Sequence, residues 1–128
     1  MTVRLQNRGL AAVTAALVAA AAFKYMQWGV GSDPGATSNV LGSTTGTTEA
    51  RTVGTVSQVT TTVTNDTYQV VGAITALETL SVTELGLFDA AGSGSPPTGG
   101  NMAWYAVFSS IGLSSGDSVT FTAQVQFQ

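Results

Sequence analysis

Hydrophobic and polar residues alternate along most of the chain beyond residue 22, and this period of two is typical of β-strands. The last stretch gives the clearest example. Its apolar residues alternate with Ser, Thr and Gln and are Val119, Phe121, Ala123, Val125 and Phe127. The pattern predicts a half-buried strand with an uncharged outer face. Such a strand needs a neighbour or a cover, because an uncharged edge invites pairing with another chain.

Two Val- and Thr-rich stretches, Arg51–Thr64 and Tyr68–Leu77, flank the turn-forming residues Asn65-Asp66-Thr67. High β-propensity on both sides of turn chemistry predicts a β-hairpin.

The stretch Ser81–Ala90 joins the two strand-rich parts of the chain and carries a dense apolar block. We expect a buried strand with a bulge or a close backbone approach at Gly86. We expect Asp89 to end the strand by bonding to its own following backbone. The next segment, Ala91–Gly100, is rich in Gly, Ser and Pro and is predicted to be a loop.

Aromatic residues lie on both faces of the stretch Asn101–Ile111. The alternation places Trp104, Ala106 and Phe108 on one face and Tyr105, Val107 and Ile111 on the other. Apolar residues on both faces indicate a strand that is buried on both sides or covered by a partner.

Phe23–Val30 also alternates and predicts a strand whose two faces are partly covered. The following segment, Gly31–Thr48, is a long Gly/Ser/Thr-rich loop with Val40 and Leu41 as its only apolar anchor. Loops of this length in compact domains are usually functional. It is either a plain connector or an arm that orders against a neighbouring subunit.

The first 22 residues allow two interpretations. As a helix, the segment has Asn7 as a plausible N-cap and an apolar stripe of Leu10, Val13, Leu17 and Val18. As a secretory signal, it has basic residues before an apolar run that ends in alanines. The helix is the interpretation we adopt, and the run is too short to span a bilayer.

These elements predict one domain over residues 1–128, with a helix in 1–22 and a β-sandwich in 23–128 that carries the long loop 31–48. The expected fold is mainly β, an antiparallel β-sandwich or open barrel of five or six strands with one N-terminal α-helix.

Composition narrows the possible chemistry. The chain has no cysteine and no histidine, which excludes disulfides, thiolate metal sites and every catalytic arrangement that needs a histidine. Only 11 of the 128 residues are charged, four basic and seven acidic, where about a quarter is usual. A neutral Thr/Ser surface suits a protein that packs against others.

The charges are unevenly placed. All four cations lie within residues 1–51, so that residues 52–128 carry five carboxylates and no Lys or Arg. Because phosphate binding needs cations, we expect no nucleic-acid binding by this region.

The carboxylates are the only groups suited to acid–base or metal chemistry. Asp66, Asp89 and Asp117 fall at predicted turns without the spacing of a calcium loop, and we interpret them as turn formers. Glu78 and Glu84 are interpreted as solvated or capping residues rather than a glycosidase pair. We expect no enzyme activity, no cofactor and no metal.

The order of several motifs resembles a family of small tailed-bacteriophage virion proteins. The motifs are NRGLAAVTAAL, FKYMQWGVG, the TTEAR step at Thr47–Arg51, TVTNDTYQVVGAIT, VTELGLFDA and GDSVTFTAQVQF. The family pattern is a helix, an xKYxxWGxG strand, a Glu-Ala-Arg step, a Thr-rich hairpin, a T-x-x-GLFD strand and a GDS-x-x-FT strand. The match covers nearly the whole chain, although the Ala-rich helix differs from the more polar helix of the family. The GLFD element, Gly86–Asp89, also occurs in phage tail-fibre and collar proteins.

The resemblance implies a non-enzymatic structural protein of the phage particle, assembled in the host cytoplasm. The leading hypothesis is a capsid decoration (cement) protein that binds the major capsid protein or other virion proteins as a trimer or dimer, without nucleic-acid or membrane contact. The hypothetical interface residues are Val40, Leu41, Trp104, Tyr105 and Phe108. The alternatives are a tail, collar or fibre-attachment protein, and a secreted carbohydrate-binding sandwich in which Trp28, Trp104 and Tyr105 stack on sugar.

Overall fold

A computed structural model describes residues 1–128 as one helix and seven strands. In chain order these elements are α1 (Asn7–Ala20), β1 (Tyr25–Gly29), β2 (Thr52–Val53), β3 (Thr55–Val59), β4 (Thr67–Thr75), β5 (Leu80–Phe88), β6 (Met102–Leu113) and β7 (Ser118–Gln126).

The strands form two antiparallel sheets that pack face to face. The four-stranded sheet has the order β2-β1-β5-β6 and the three-stranded sheet has the order β3-β4-β7. The predicted mainly-β fold is therefore confirmed as a β-sandwich with one N-terminal helix, and not as a closed barrel. The hairpin is confirmed as β3–β4, with Thr55 to Val59 paired to Val71 to Thr67.

The core lies between the sheets and is formed by strands that have neighbours on both sides. Its fully buried side chains come from β1, β4 and β5 and include Met26, Trp28, Tyr68, Val70 and Val82. The strand predicted within Phe23–Val30 is confirmed as β1, and both of its faces are covered. Met26 and Trp28 enter the core, while Gln27 and Gly29 are buried on the opposite face.

Strand β5 is central in its sheet, as predicted, but its bulge is not where the glycine suggested. The register against β6 shifts between Val82 and Glu84, and again between Leu87 and Phe88, rather than at Gly86. As a result Val82 and Leu85 both contact the core, and Glu84 is directed to the outer face. The bulge also corrects the prediction for Ile111, which packs against the core on the same side as Trp104.

One side of the sandwich is closed by the chain itself. Strands β2 and β3 are edge strands of different sheets, and only Gly54 separates them, so that the backbone passes directly from one sheet to the other. Helix α1 packs against β3 and β4. The opposite side, where β6 and β7 form the other two edges, has no such closure.

Helix α1 confirms the helical interpretation within residues 1–22, with a different N-cap. Asn7 is the first helical residue, and the N-cap is Gln6, whose side chain makes no capping bond. Leu10 is buried and Leu17 and Val18 touch the core, but Val13 is exposed. Thr14 takes the second buried position, where its hydroxyl donates to the Leu10 carbonyl oxygen at 2.9 Å. The helix is not long and apolar enough to cross a membrane.

Candidate protein interface

The loop 31–48, called the arm below, is held against the outer face of the four-stranded sheet by one buried carboxylate. Glu84 is fully buried, and its Oε1 accepts hydrogen bonds from the backbone N–H groups of Gly31 at 3.0 Å and Ser43 at 2.9 Å. Its Oε2 accepts from the N–H of Gly42 at 2.9 Å. The interpretation of Glu84 as a solvated or capping residue is therefore wrong: it joins the start of the arm and the segment Gly42-Ser43 to β5.

Small residues make this contact possible. A Cβ atom on Gly31 would lie 2.6 Å from the carbonyl carbon of Gly42, and a Cβ on Gly42 would collide with the Ser32 carbonyl oxygen. Only glycines let the two strands of the arm approach the carboxylate this closely. The sequence signal was a lone Glu within an apolar strand, with glycines 42 and 53 positions earlier in a loop without periodicity.

Leu41 anchors the arm and is 6% exposed, whereas its neighbour Val40 is 59% exposed. Leu41 lies over Gly86, where an added Cβ would come within 3.0 Å of its side chain and within 2.9 Å of the Met102 sulfur. The predicted close approach at Gly86 is thus confirmed, with the side chains of the arm and β6 as the approaching groups.

The Glu-Ala-Arg step follows the arm directly, and its Glu49 bonds to Trp28 of β1 and to Leu77, just after β4. Its carboxylate accepts hydrogen bonds from the Trp28 indole at 3.1 Å and from the N–H of Leu77 at 2.9 Å. Burial alone would raise the pKa of Glu49, but these donors and the Thr48 N–H outweigh it and lower the pKa below its ordinary value. Glu49 is therefore a structural anion that fixes the end of the arm.

Arg51 connects the arm-covered face to the loop 91–100. Its guanidinium donates to the Gln27 side chain and to the carbonyl oxygens of Ala90 and Gly99, each at 2.8 Å, and lies 3.6 Å from the centre of the Phe88 ring. Burial lowers its pKa, while the charge of nearby Asp89 opposes that change. Because its Nε and Nη1 donate to these groups, Arg51 holds the loop in place.

The five hypothetical interface residues do not form one patch. Trp104 and Phe108 are half-buried and face the core, where Trp104 contacts Tyr68 with ring centres 5.1 Å apart and Phe108 contacts Phe121 at 5.7 Å. Tyr105 points to the other face, beside arm residues 35–38. Of the five residues, Val40 alone is a largely exposed apolar side chain.

Tyr105 has an unusual environment. Its hydroxyl is buried without a hydrogen-bond partner of normal geometry, although it lies near Glu84. Burial and the negative charge of Glu84 raise the pKa of Tyr105 to about 12. The residue therefore remains a neutral phenol at physiological pH.

Asp66 and Asp117 accept hydrogen bonds from the backbone of their own turns, which confirms that interpretation. Asp66 accepts from the N–H groups of Thr61, Thr62 and Val63, and Asp117 from Ser114. The prediction that Asp89 bonds to its own following backbone is wrong, because it accepts from Asn101, just beyond the loop 91–100. No group of carboxylates is arranged to hold a metal ion.

The side of the sandwich between β6 and β7 differs from the rest of the molecule. The 12 residues of β6 and the 9 of β7 contain no charged residue and no proline. The outer edge of each strand lacks a hydrogen-bonded neighbour. Between the two edges lies a cleft of about 270 Å³, lined mainly by apolar side chains that include Leu85, Leu87, Trp104, Ala106, Ala123 and Val125.

This surface combines unpaired strand edges with a mainly apolar cleft. Exposed backbone N–H and C=O groups are available for strand pairing, and half-buried apolar side chains are available for packing. Comparison of the chain with protein-family models, with curated protein sequences and with solved structures gives no match.

Proposed function

We propose that the chain is a non-enzymatic structural protein of a phage particle, a capsid decoration protein that binds the assembled head as a homo-oligomer. The proposal rests on the resemblance of the ordered motifs and on one structural observation. That observation is the pair of long, uncharged and unpaired edge strands, β6 and β7, on one side of the sandwich.

Two uncharged edges are a liability for a protein that works alone in solution, because they pair with other chains. They suit a subunit that is covered in an assembly. A protein that binds only the assembled shell stabilises that shell by mass action, without any chemical step.

The arm supports the same proposal. Glu84 fixes its backbone and Leu41 is buried, so that Val40 is presented to solvent from a rigid loop. A preordered loop loses little conformational entropy when a partner binds it. Val40 is therefore the arm residue that we assign to contact with the major capsid protein.

The carbohydrate-binding alternative receives less support. Trp28 is 1% exposed and donates its indole N–H to Glu49, and Trp104 packs against Tyr68 and Phe23. Neither indole offers the open flat face on which a sugar ring stacks.

Quantitative mass spectrometry of purified particles, with the major capsid protein as the reference, tests the proposal. A copy number close to that of the capsid subunit is expected. A few copies per particle would move the protein to the tail, collar or fibres, and its absence would overturn the virion assignment.

A second experiment tests the arm. Val40→Asp is expected to reduce binding to heads that lack the protein, with no change in its thermal stability. Val13→Asp, on an exposed position of α1, is the matched control and is expected to bind normally. Equal binding by both variants would remove Val40 from the contact.

A further inference from the structure

The open side of the sandwich lacks a strand. Strand β7 pairs with β4 over nine consecutive residue pairs, Thr67–Gln126 to Thr75–Ser118, so that its free edge is a regular backbone ladder. Strand β6 has two register shifts and offers a less regular edge. A strand that joined β7 would also cover the cleft between the two edges.

Residues 1–6 have the pattern of such a strand. Met1, Val3 and Leu5 alternate with Thr2, Arg4 and Gln6, and the three apolar side chains are 116%, 83% and 48% exposed. Residues 1–5 make no hydrogen bond within their own chain. Its own copy therefore leaves Met1 and Val3 uncovered, whereas Leu5 is half covered, beside Gly9 of α1 and near Phe127.

The charges of the two partners are complementary. The segment and the start of α1 carry Arg4 and Arg8, whereas residues 52–128 carry five carboxylates and no cation. The edge of β7 itself is uncharged, so nothing on it repels or desolvates an incoming strand. Two copies of the body have like charge, which favours contact through the basic segment over contact between bodies.

We propose that residues 1–6 of one copy add as a strand to the free edge of β7 in a second copy. The side chains of Val3 and Leu5 enter the apolar cleft, and Arg4 stays on the solvent side. This mode is β-augmentation, in which backbone bonds supply affinity and alternate side chains supply specificity. The inference goes beyond the proposed function, because it holds whether or not the protein belongs to a virion.

The absence of cysteine allows a direct test with the full-length protein. A chain carrying Thr2→Cys, on the solvent face of the segment, is mixed with a chain carrying Thr122→Cys, on the outer face of β7, and treated with a short bismaleimide. The control replaces the second chain with Thr55→Cys, an exposed threonine on β3, the other edge of the same sheet. The heterodimer is expected to form at least about tenfold more with Thr122→Cys, since bound strands have a high effective concentration.

Equal cross-linking of the two mixtures would overturn the proposal. So would a predominance of Thr122→Cys homodimers, which would indicate pairing of β7 with β7. Sedimentation as a monomer at every accessible concentration would overturn it as well. That result is also expected if residues 1–6 pair with β7 of their own copy.

The double variant Val3→Asp/Leu5→Asp gives an independent measurement. In sedimentation velocity it is expected to shift the protein to monomer, with little change in the melting temperature at low concentration, because residues 1–5 make no hydrogen bond in their own copy and only Leu5 is partly covered there. Val53→Asp, on the exposed edge strand β2, is the matched control and is expected to associate normally. Association of the double variant at wild-type strength would contradict the proposal.

Discussion

Two regions of the four-stranded sheet differ in whether the chain itself covers them. Over β1 and β5 the sheet is covered by the chain's own arm, which Glu84 and Glu49 hold through hydrogen bonds from its backbone, while Arg51 holds the loop 91–100. At β6 nothing covers the edge, and the neighbouring edge of β7 is equally free. The charged residues of the body thus serve internal attachment, and the free edges have none.

This difference shows what the few charged side chains of the chain do. A buried carboxylate that accepts three backbone N–H bonds organises a loop that has no core of its own. An unpaired edge without charges leaves that surface open to another chain. The closed face is thus held by internal hydrogen bonds, whereas the open edge has unpaired backbone groups.

Removal of Glu84 is the strongest way to break the closed face. Glu84→Ala removes the acceptor of three part-buried backbone N–H groups, and a hydrogen bond to a charged group contributes about 1.5–3 kcal/mol. We expect a loss of at least about 3 kcal/mol in the free energy of unfolding, measured by urea denaturation with tryptophan fluorescence. Protease cleavage should become faster within residues 31–48.

Two matched variants separate the clamp from a general loss of packing. Glu78→Ala removes a carboxylate with one side-chain hydrogen bond, from Thr48, and is expected to cost less than about 1 kcal/mol. Gly42→Ala should reproduce the Glu84 defect, whereas Gly112→Ala, where an added Cβ meets only the Ser81 hydroxyl oxygen at 4.0 Å, should not. If Glu84→Ala and Glu78→Ala unfold alike, the clamp is not the main support of the arm.

The same substitution at two valines compares the two regions of the core. Val70, on β4, is fully buried, and Val70→Ala is expected to cost about 2 kcal/mol through lost burial and a cavity. Val125, on β7, is half-buried beside the open cleft, and Val125→Ala should cost less than about 1 kcal/mol in the monomer. Equal costs, again by urea denaturation, would mean that the open edge is as well packed as the centre.

The fold was largely predictable because strand periodicity survives wherever one face of a strand is buried. The alternation in β7 and the Val/Thr hairpin both indicated strands that the structure contains. Alternation failed at the bulge of β5, where Val82 and Glu84 have the same parity in sequence but lie on opposite faces. The alternation of polar and apolar residues does not show where a bulge changes the side to which the following side chains point.

The candidate site was less predictable, for a related reason. Trp104 and Phe108 were placed on one face correctly, but the alternation did not indicate that this face is the subunit's own core. The role of Glu84 depends on glycines more than 40 positions away in the chain, and such long-range partners leave no local pattern. The free edges follow from strand order, which the sequence does not encode locally.

Acid should weaken the turns before it affects the core. Burial alone would raise the pKa of Asp66, but the N–H groups of Val63 and Thr61 and the Gln126 side chain lower it well below its ordinary value. For Asp89, the Asn101 N–H and side chain lower the pKa. Groups with a lowered folded pKa stabilise the protein above the unfolded pKa of about 3.9, and that stability is lost as the pH falls below it.

The urea midpoint is therefore expected to fall between about pH 5 and pH 2. In Asp66→Asn the midpoint should already be lower at pH 6 and should fall less steeply in acid, so that the two curves converge. Parallel curves for the wild type and the variant would show that Asp66 does not carry the acid sensitivity.

The smallest effect is expected at Tyr105, which lies where the closed face meets the open edge. Its hydroxyl is buried and has no hydrogen-bond partner of normal geometry, so Tyr105→Phe removes a desolvated group without breaking a bond. The free energy of unfolding should change by less than about 0.5 kcal/mol or rise slightly. A loss above about 1 kcal/mol would mean that the hydroxyl donates to Glu84 and belongs to the clamp. Tyr105→Phe in the Glu84→Ala background decides this, because a residue of the clamp loses its effect once the carboxylate is gone.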